Sequence, residues 1–180
     1  TATSYEYDGL SRQTHANDNN EPTDANDDST ITFAYDSLSR VIEETQQLGP
    51  LSAKAVSTAW RAENLRVGLT YPNGRVLDYT YDTLDRVNTI ADEGATQAIA
   101  DYDYLGQYRL AQRHYPLNGT RMTYLDDAGT AAVGYDGLRR PVQLRHLRSD
   151  NSLIVGFGHA YDRMNNKLNE DKLHNQTNNE

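Results

Sequence analysis

Tyr79-Thr80-Tyr81-Asp82-Thr83-Leu84-Asp85-Arg86-Val87 is the stretch that makes the rest of the chain readable. Tyr79 and Tyr81 are two residues apart, so on a strand their rings share one face. Asp82 then ends the strand, because an Asp carboxylate accepts a hydrogen bond from the backbone N–H two residues on and stabilises a turn. Outward from this stretch the same Tyr-Asp-x-Leu-x-Arg frame recurs as Tyr7, Asp8, Leu10 and Arg12, as Tyr35, Asp36, Leu38 and Arg40, and as Tyr135, Asp136, Leu138 and Arg140. Degenerate copies keep Tyr104 and Arg109 around Leu105-Gly106, and Tyr161, Asp162, Met164 and Asn166. From Asp36 to Asp82 is 46 residues, twice the 23 from Asp82 to Leu105, which places a decayed copy around Trp60 to Asn64. A recurring unit of this length is the signature of a repeat architecture.

An aromatic residue precedes the frame's Tyr by two positions at Tyr5, Phe33, Tyr79 and Tyr102. Those four copies therefore place a pair of rings on one side of a strand. If Asp8-Gly9-Leu10-Ser11 forms a four-residue turn, Tyr7 and Arg12 face each other across it. The guanidinium can then lie on the ring, which is worth about 0.5–1 kcal/mol at an exposed site. The same pairing is expected of Tyr35 with Arg40, Tyr81 with Arg86, Tyr104 with Arg109, and Tyr135 with Arg140. Asp8, Asp36, Asp82 and Asp136 are each expected at a strand end, bonded to turn N–H groups.

Between these turns lies a second class, Pro72-Asn73-Gly74 and Pro116-Leu117-Asn118-Gly119, where Asn-Gly supplies the positive φ values of a tight hairpin. Further breaks fall at Leu48-Gly49-Pro50, Asp92-Glu93-Gly94, Asp127-Ala128-Gly129 and Ser149-Asp150-Asn151. Turn signals about every 8 to 12 residues predict an all-β meander of antiparallel hairpins. The Ala-containing stretch from Leu51 to Leu65 is read as strand or loop, since it coincides with the decayed copy.

Composition agrees. Apolar residues make up 37% of the 180, and mean hydropathy is -0.82. Such a chain lacks the apolar surface for a thick core, and a thin or hollow architecture with two wet faces suits it better. Its 13 Tyr stand against 2 Phe and 1 Trp, so the buried aromatic surface carries a polar edge. A net charge of -9 with no basic stripe argues against binding nucleic-acid phosphates. No apolar run approaches the length of a membrane span, and the N-terminus lacks the features of a signal peptide. The absence of Cys excludes disulfides and thiol chemistry.

Tyr71-Pro72-Asn73-Gly74-Arg75 followed by Tyr79 to Val87 resembles the YD or RHS repeat of bacterial surface and toxin proteins, found also in teneurins. The resemblance runs from Tyr5 to about Lys167. It implies a continuous sheet that spirals into a shell or tube, with the repeats as scaffold and Leu105 and Asn166 as departures from the frame.

Residues 1–167 are thus expected to form the repeat sheet, with a mobile acidic insertion at 17–29 and a polar tail or linker at 168–180. Asp24-Ala25-Asn26-Asp27-Asp28 has the look of a calcium loop, but Ser29 and Tyr35 stand where that loop requires Gly and Glu, so a solvated insertion is the better reading. His15, His114, His146, His159 and His174 lack metal-ligand spacing, and no G-x-S-x-G marks a nucleophile. Asn118-Gly119-Thr120 and Asn175-Gln176-Thr177 match the glycosylation sequon, though Asn118 already has a turn role.

The expectation is a non-enzymatic structural segment without cofactor or metal, at the cell surface or outside the cell. Its partners are further repeats of the same chain or identical subunits, joined through edge strands. Two alternatives stand beside it: part of a toxin-encapsulating cocoon, and a carbohydrate-binding module that uses exposed Tyr and Arg.

Overall fold

The computed structural model describes residues 2–21 and 23–174, and every regular element in them is a strand. In chain order these are β1 (Ala2–Tyr7), β2 (Gln13–Asn19), β3 (Ser29–Tyr35), β4 (Val41–Leu48), β5 (Lys54–Trp60), β6 (Arg66–Thr70) and β7 (Val76–Tyr81). They continue as β8 (Val87–Asp92), β9 (Ala100–Leu105), β10 (Arg109–Tyr115), β11 (Thr120–Thr123), β12 (Gln143–Leu147), β13 (Leu153–Tyr161) and β14 (Lys167–His174). All fourteen belong to one antiparallel, open sheet whose spatial order is the order of the chain. Apart from the loop between β11 and β12, each strand follows its neighbour through a short connection, as expected where turn signals recur at short intervals.

The chain separates into two compact units, residues 1–79 and 80–180. In the first, Leu77 is buried and most of the sheet is half-buried or exposed. In the second, Ala100, Ala111, Leu125 and Leu147 are buried beside Thr123, whose hydroxyl oxygen accepts the Leu125 N–H at 3.0 Å. Neither unit has a thick core, in keeping with the low apolar content.

The second unit carries one elaboration. Between β11 and β12 the chain makes a closed loop in which Asp126 N–H donates to Ala131 O at 2.8 Å and Gly134 N–H donates to Tyr124 O at 2.7 Å. The backbones approach so closely there that a side chain at Gly134 would lie 2.4 Å from Gln143 O and 2.7 Å from Tyr124 O. Tyr124 and Tyr135 stack over this crossing with centroids 4.6 Å apart.

Two boundaries differ from the sequence reading. Asn17–Asn19 lie in β2 and Ser29 in β3, so the expected insertion contracts to the turn between those strands. That turn is bonded, with Asn26 N–H donating to Asp24 Oδ1 at 2.9 Å and Gly49 N–H donating to Asp28 O at 2.7 Å. Pro22 lies outside the described residues. Likewise 168–174 is not a tail: β14 pairs with β13 from Tyr161–Lys167 to Val155–His174. Its polarity misled because a strand exposed on all its residues is held by backbone hydrogen bonds and needs no apolar face. Residues 175–180, including the second sequon, lie outside the described residues. Among the described residues no helix is long and apolar enough to cross a membrane.

Candidate functional site

The repeated chemistry is concentrated in the Tyr-Asp turns, all of which fall on one edge of the sheet. At each intact copy the Asp carboxylate organises the loop. Asp8 Oδ1 accepts the N–H of Leu10 at 2.8 Å and of Arg12 at 3.0 Å. Asp36 takes Leu38 at 2.9 Å and Arg40 at 3.0 Å, Asp82 takes Leu84 at 2.8 Å and Arg86 at 3.1 Å, and Asp136 takes Leu138 and Arg140 at 2.9 Å. The other carboxylate oxygen receives the Arg Nε, at 2.6 Å in Asp8–Arg12 and Asp136–Arg140 and at 2.7 Å in Asp36–Arg40 and Asp82–Arg86. Asp162 does the same with Asn166 in place of Arg, accepting its Nδ2 at 2.8 Å. Asp8, Asp36 and Asp82 thus sit at strand ends, bonded as the sequence predicts, whereas Asp136 is bonded in the same way but follows the isolated Tyr135–Pro141 bridge in the loop between β11 and β12.

These contacts hold the carboxyls below the ordinary value of 3.8. The leading cause is the side-chain hydrogen bond from Arg12 at Asp8, from Arg86 at Asp82 and from Asn166 at Asp162. At Asp36 and Asp136 it is the backbone hydrogen bond from Arg40 and Arg140.

The turn length differs from the expectation, and the aromatic pairing changes with it. A residue in the left-handed region stands just before the Arg position of each copy: Ser11 (φ 60°), Ser39 (62°), Asp85 (58°), Arg139 (69°) and Asn165 (74°). With Ser11 N–H bonded to Asp8 O and Asp8 N–H bonded to Arg12 O, each loop is a type I turn closed by a left-handed residue. That extra residue shifts the register, so Tyr7 faces Gln13, Tyr35 faces Val41 and Tyr161 faces Lys167. The Arg is therefore not stacked on the Tyr of its own copy.

It reaches forward instead. Arg12 lies 4.6 Å over the ring of Tyr35, Arg40 5.4 Å over Trp60, Arg86 4.2 Å over Tyr104, Arg109 5.4 Å over Tyr135, and Arg140 4.7 Å over Tyr161. Four of these guanidiniums also bond the backbone of the following turn. Arg12 Nη1 donates to Asp36 O at 3.1 Å, Arg40 Nη1 to Arg61 O at 2.6 Å, Arg86 Nη1 to Gly106 O at 2.6 Å, and Arg140 Nη1 to Asp162 O at 2.9 Å.

The ring completes a reciprocal bond, donating to the carbonyl just after the Arg that covers it. Tyr35 Oη donates to Gln13 O at 2.7 Å, Trp60 Nε1 to Val41 O at 2.9 Å, and Tyr104 Oη to Val87 O at 2.8 Å. Tyr135 Oη donates to Leu110 O at 2.9 Å and Tyr161 Oη to Pro141 O at 3.0 Å. Burial of the ring pushes the Tyr135 hydroxyl up to about 12 and raises that of Tyr104. Arg12, Arg40, Arg86 and Arg140 each lock their copy to the next by one fork, one cation–π contact and one reciprocal hydrogen bond, and Arg109 does so by the last two alone.

The decayed copy falls where the spacing puts it. Trp60 occupies the Tyr place, Arg61 the Asp place and Asn64 (φ 66°) the left-handed place, with Arg61 N–H bonded to Leu65 O at 2.8 Å. Leu105 leaves Arg109 without the carboxylate partner of the other copies, yet Arg109 still covers Tyr135.

On the opposite edge, Arg75 N–H donates to Asn73 Oδ1 at 3.1 Å, and Thr120 N–H donates to Asn118 Oδ1 at 3.0 Å. Positive φ falls on Gly74 (85°) and Gly119 (68°) and not on Asn73 or Asn118, so the Asn is a cap and Gly alone meets the left-handed requirement. Among the described residues no three His, Asp or Glu side chains form a group able to hold a metal.

No family model and no curated protein matches the chain. Solved structures do. Residues covering 98% of the chain superpose on 9% of a chain in the TcdB2–TccC3–Cdc42 crystal structure, with a TM-score of 0.71 and 17% identity. The Photorhabdus luminescens Tc holotoxin pore matches over 97% of this chain and 9% of its own, with a TM-score of 0.70 and 14% identity. TcdB2–TccC3 without its hypervariable C-terminal region matches at 0.69, with 16% identity. This chain folds like a stretch of a Tc toxin chain. It spans only 9% of those toxin chains, and at such low identity the Tc toxin likeness is one of fold.

Proposed function

We propose that this chain is a non-catalytic wall segment of an RHS-type shell, lying outside the cell and enclosing a toxin polypeptide. The observation that carries the reading is the forward lock of Arg on the next copy's ring, which uses the conspicuous side chains of the frame to join one hairpin to the next. Such nearest-neighbour coupling lets a sheet grow by increments and gives a wall without a thick core. The Tc toxin-like fold supports the same role. Residues of this kind would serve an enzyme or a sugar platform only if left accessible, and here Tyr35, Trp60, Tyr104, Tyr135 and Tyr161 each carry a guanidinium.

The partners in this reading are further repeats. β1 and β14 are exposed throughout and each pairs on one side only among the described residues. Their free N–H and C=O groups suit another antiparallel strand.

Grafting the chain in place of the equivalent stretch of a TcdB2–TccC3 chain tests the proposal. The expected chimera closes into a shell in electron micrographs and shields its enclosed polypeptide from added protease. A shell left open at the graft, with that polypeptide digested, would count against a wall function.

A further inference from the structure

The frame's Leu is unexplained by the turn that contains it. Its N–H is bonded to the Asp, a service any residue other than proline supplies, while its side chain points into solvent. On the Tyr-Asp edge of the second unit Leu84, Tyr108, Leu138 and Met164 occupy successive turns, with Tyr108, Leu138 and Met164 exposed by 80%, 70% and 82%. Successive turns on one edge are two strands apart, about 9–10 Å. These tips form a regular apolar row, and an apolar row of this kind marks an interaction surface. Exposed Arg139 and Arg163 stand beside Leu138 and Met164.

The opposite edge of the first unit has a complementary arrangement. Exposed Leu48 and Leu51 line a cavity of about 350 Å³ with Gln46, Ser52 and Lys54. The neighbouring turn, tied to this one by the Gly49–Asp28 bond, bears exposed Glu21, Asp24 and Asp27. One edge is thus apolar, with cations at its Leu138 and Met164 tips and exposed Asp85 beside Leu84. The other is apolar and recessed, with an acidic flank.

We infer that the edge bearing Leu138, Arg139, Arg163 and Met164 docks on the edge bearing Leu48, Leu51, Asp24 and Asp27 of a second copy of this chain. The contact joins turn edge to turn edge, at right angles to strand pairing, and forms a seam between tiers. A Met164 or Leu138 side chain fills the Leu48–Leu51 recess while Arg139 and Arg163 face the carboxylates. Both edges are hairpin rows of the same pitch, so several tips engage in register. The two surfaces differ, so the contact is heterologous and adds copies in one direction. The inference rests on the wall reading and adds a second axis of assembly to it.

The chain has no Cys, so single-Cys variants report one position each. Leu51→Cys and Met164→Cys are mixed under mild oxidation, with Thr3→Cys and Lys172→Cys as a separate mixture reporting strand-edge pairing. The expected result is a Leu51–Met164 disulfide heterodimer several-fold more abundant than either homodimer. It should fall in the Arg139→Glu/Arg163→Glu background and return when the partner carries Asp24→Lys/Asp27→Lys. A cross-link in the strand-edge mixture alone would overturn the seam and leave the wall reading standing. No cross-link in either mixture would overturn the seam as well, with the wall reading left to the graft.

Discussion

The Arg86 guanidinium lies 4.2 Å from the ring centroid of Tyr104, in the following copy, while its Nε and Nη2 hold Asp82 of its own. One side chain thereby closes a turn and fastens the next hairpin. A planar, five-donor fork can serve both directions at once.

Removing the reciprocal hydrogen bond alone tests the ring's polar edge. Tyr104→Phe keeps the ring under Arg86 but strands the Val87 carbonyl, and is expected to cost about 1 kcal/mol in urea unfolding. Tyr161→Phe should behave alike through Pro141 O. Unchanged midpoints for both would show that the hydroxyl donors contribute nothing.

Arg86→Lys should lower the unfolding midpoint more than Arg109→Lys. Lysine keeps the charge but cannot give two nitrogens to Asp82 while reaching Gly106 O. Arg109 faces Leu105 where the other copies have Asp, so it has no such fork to lose. Equal shifts would contradict the double role assigned to Arg86.

Acid should weaken the sheet. The turn carboxyls of Asp8, Asp36, Asp82, Asp136 and Asp162 have native values below 3.8, so the unfolded chain takes up protons first as pH falls. Their contribution is fully present above the unfolded value and is lost as pH drops through the lowered native values. Thermal melts should decline gently below about pH 6.5, where the unfolded chain begins to protonate His146 while burial and the nearby Arg113 hold the native imidazole below its ordinary value, and fall steeply below about pH 4. A melting temperature that stays level or rises on acidification to about pH 3 would refute this linkage.

Two glycines separate close approach from mere looseness. Gly134→Ala places a methyl against two backbone oxygens that cannot retreat, at an expected cost of about 2–3 kcal/mol. Gly137 has nothing within 4 Å of an added methyl, and Gly137→Ala should fall within about 0.5 kcal/mol of the parent. Similar denaturation curves for the two variants would mean that the Tyr124–Gln143 crossing is not packed as described.

The Asp turns were legible because their chemistry is local: Asp82 caps a loop whose other members are within four residues. The decayed copy was legible from spacing alone, and Trp60 to Leu65 adopts the turn without its carboxylate. What the sequence concealed was the register, because Ser11, Ser39, Asp85 and Arg139 carry a left-handed conformation usually signalled by Gly or Asn. That one residue moved every Arg from its own Tyr to the next. A clue was present: the covered ring is Tyr or Trp, never Phe, as befits a position that must donate a hydrogen bond. The 168–174 strand was hidden because an exposed strand needs no apolar pattern.

A double-mutant cycle centred on Tyr104 bears most directly on the forward lock. Tyr104→Leu is combined with Arg86→Ala in one cycle and with Arg109→Ala, from its own copy, in another, and coupling energies are taken from urea unfolding. The structure predicts coupling of about 0.5–1.5 kcal/mol between Tyr104 and Arg86, and about zero between Tyr104 and Arg109. Coupling to Arg109 with none to Arg86 would mean that each copy closes on itself and that the lock between copies does not exist.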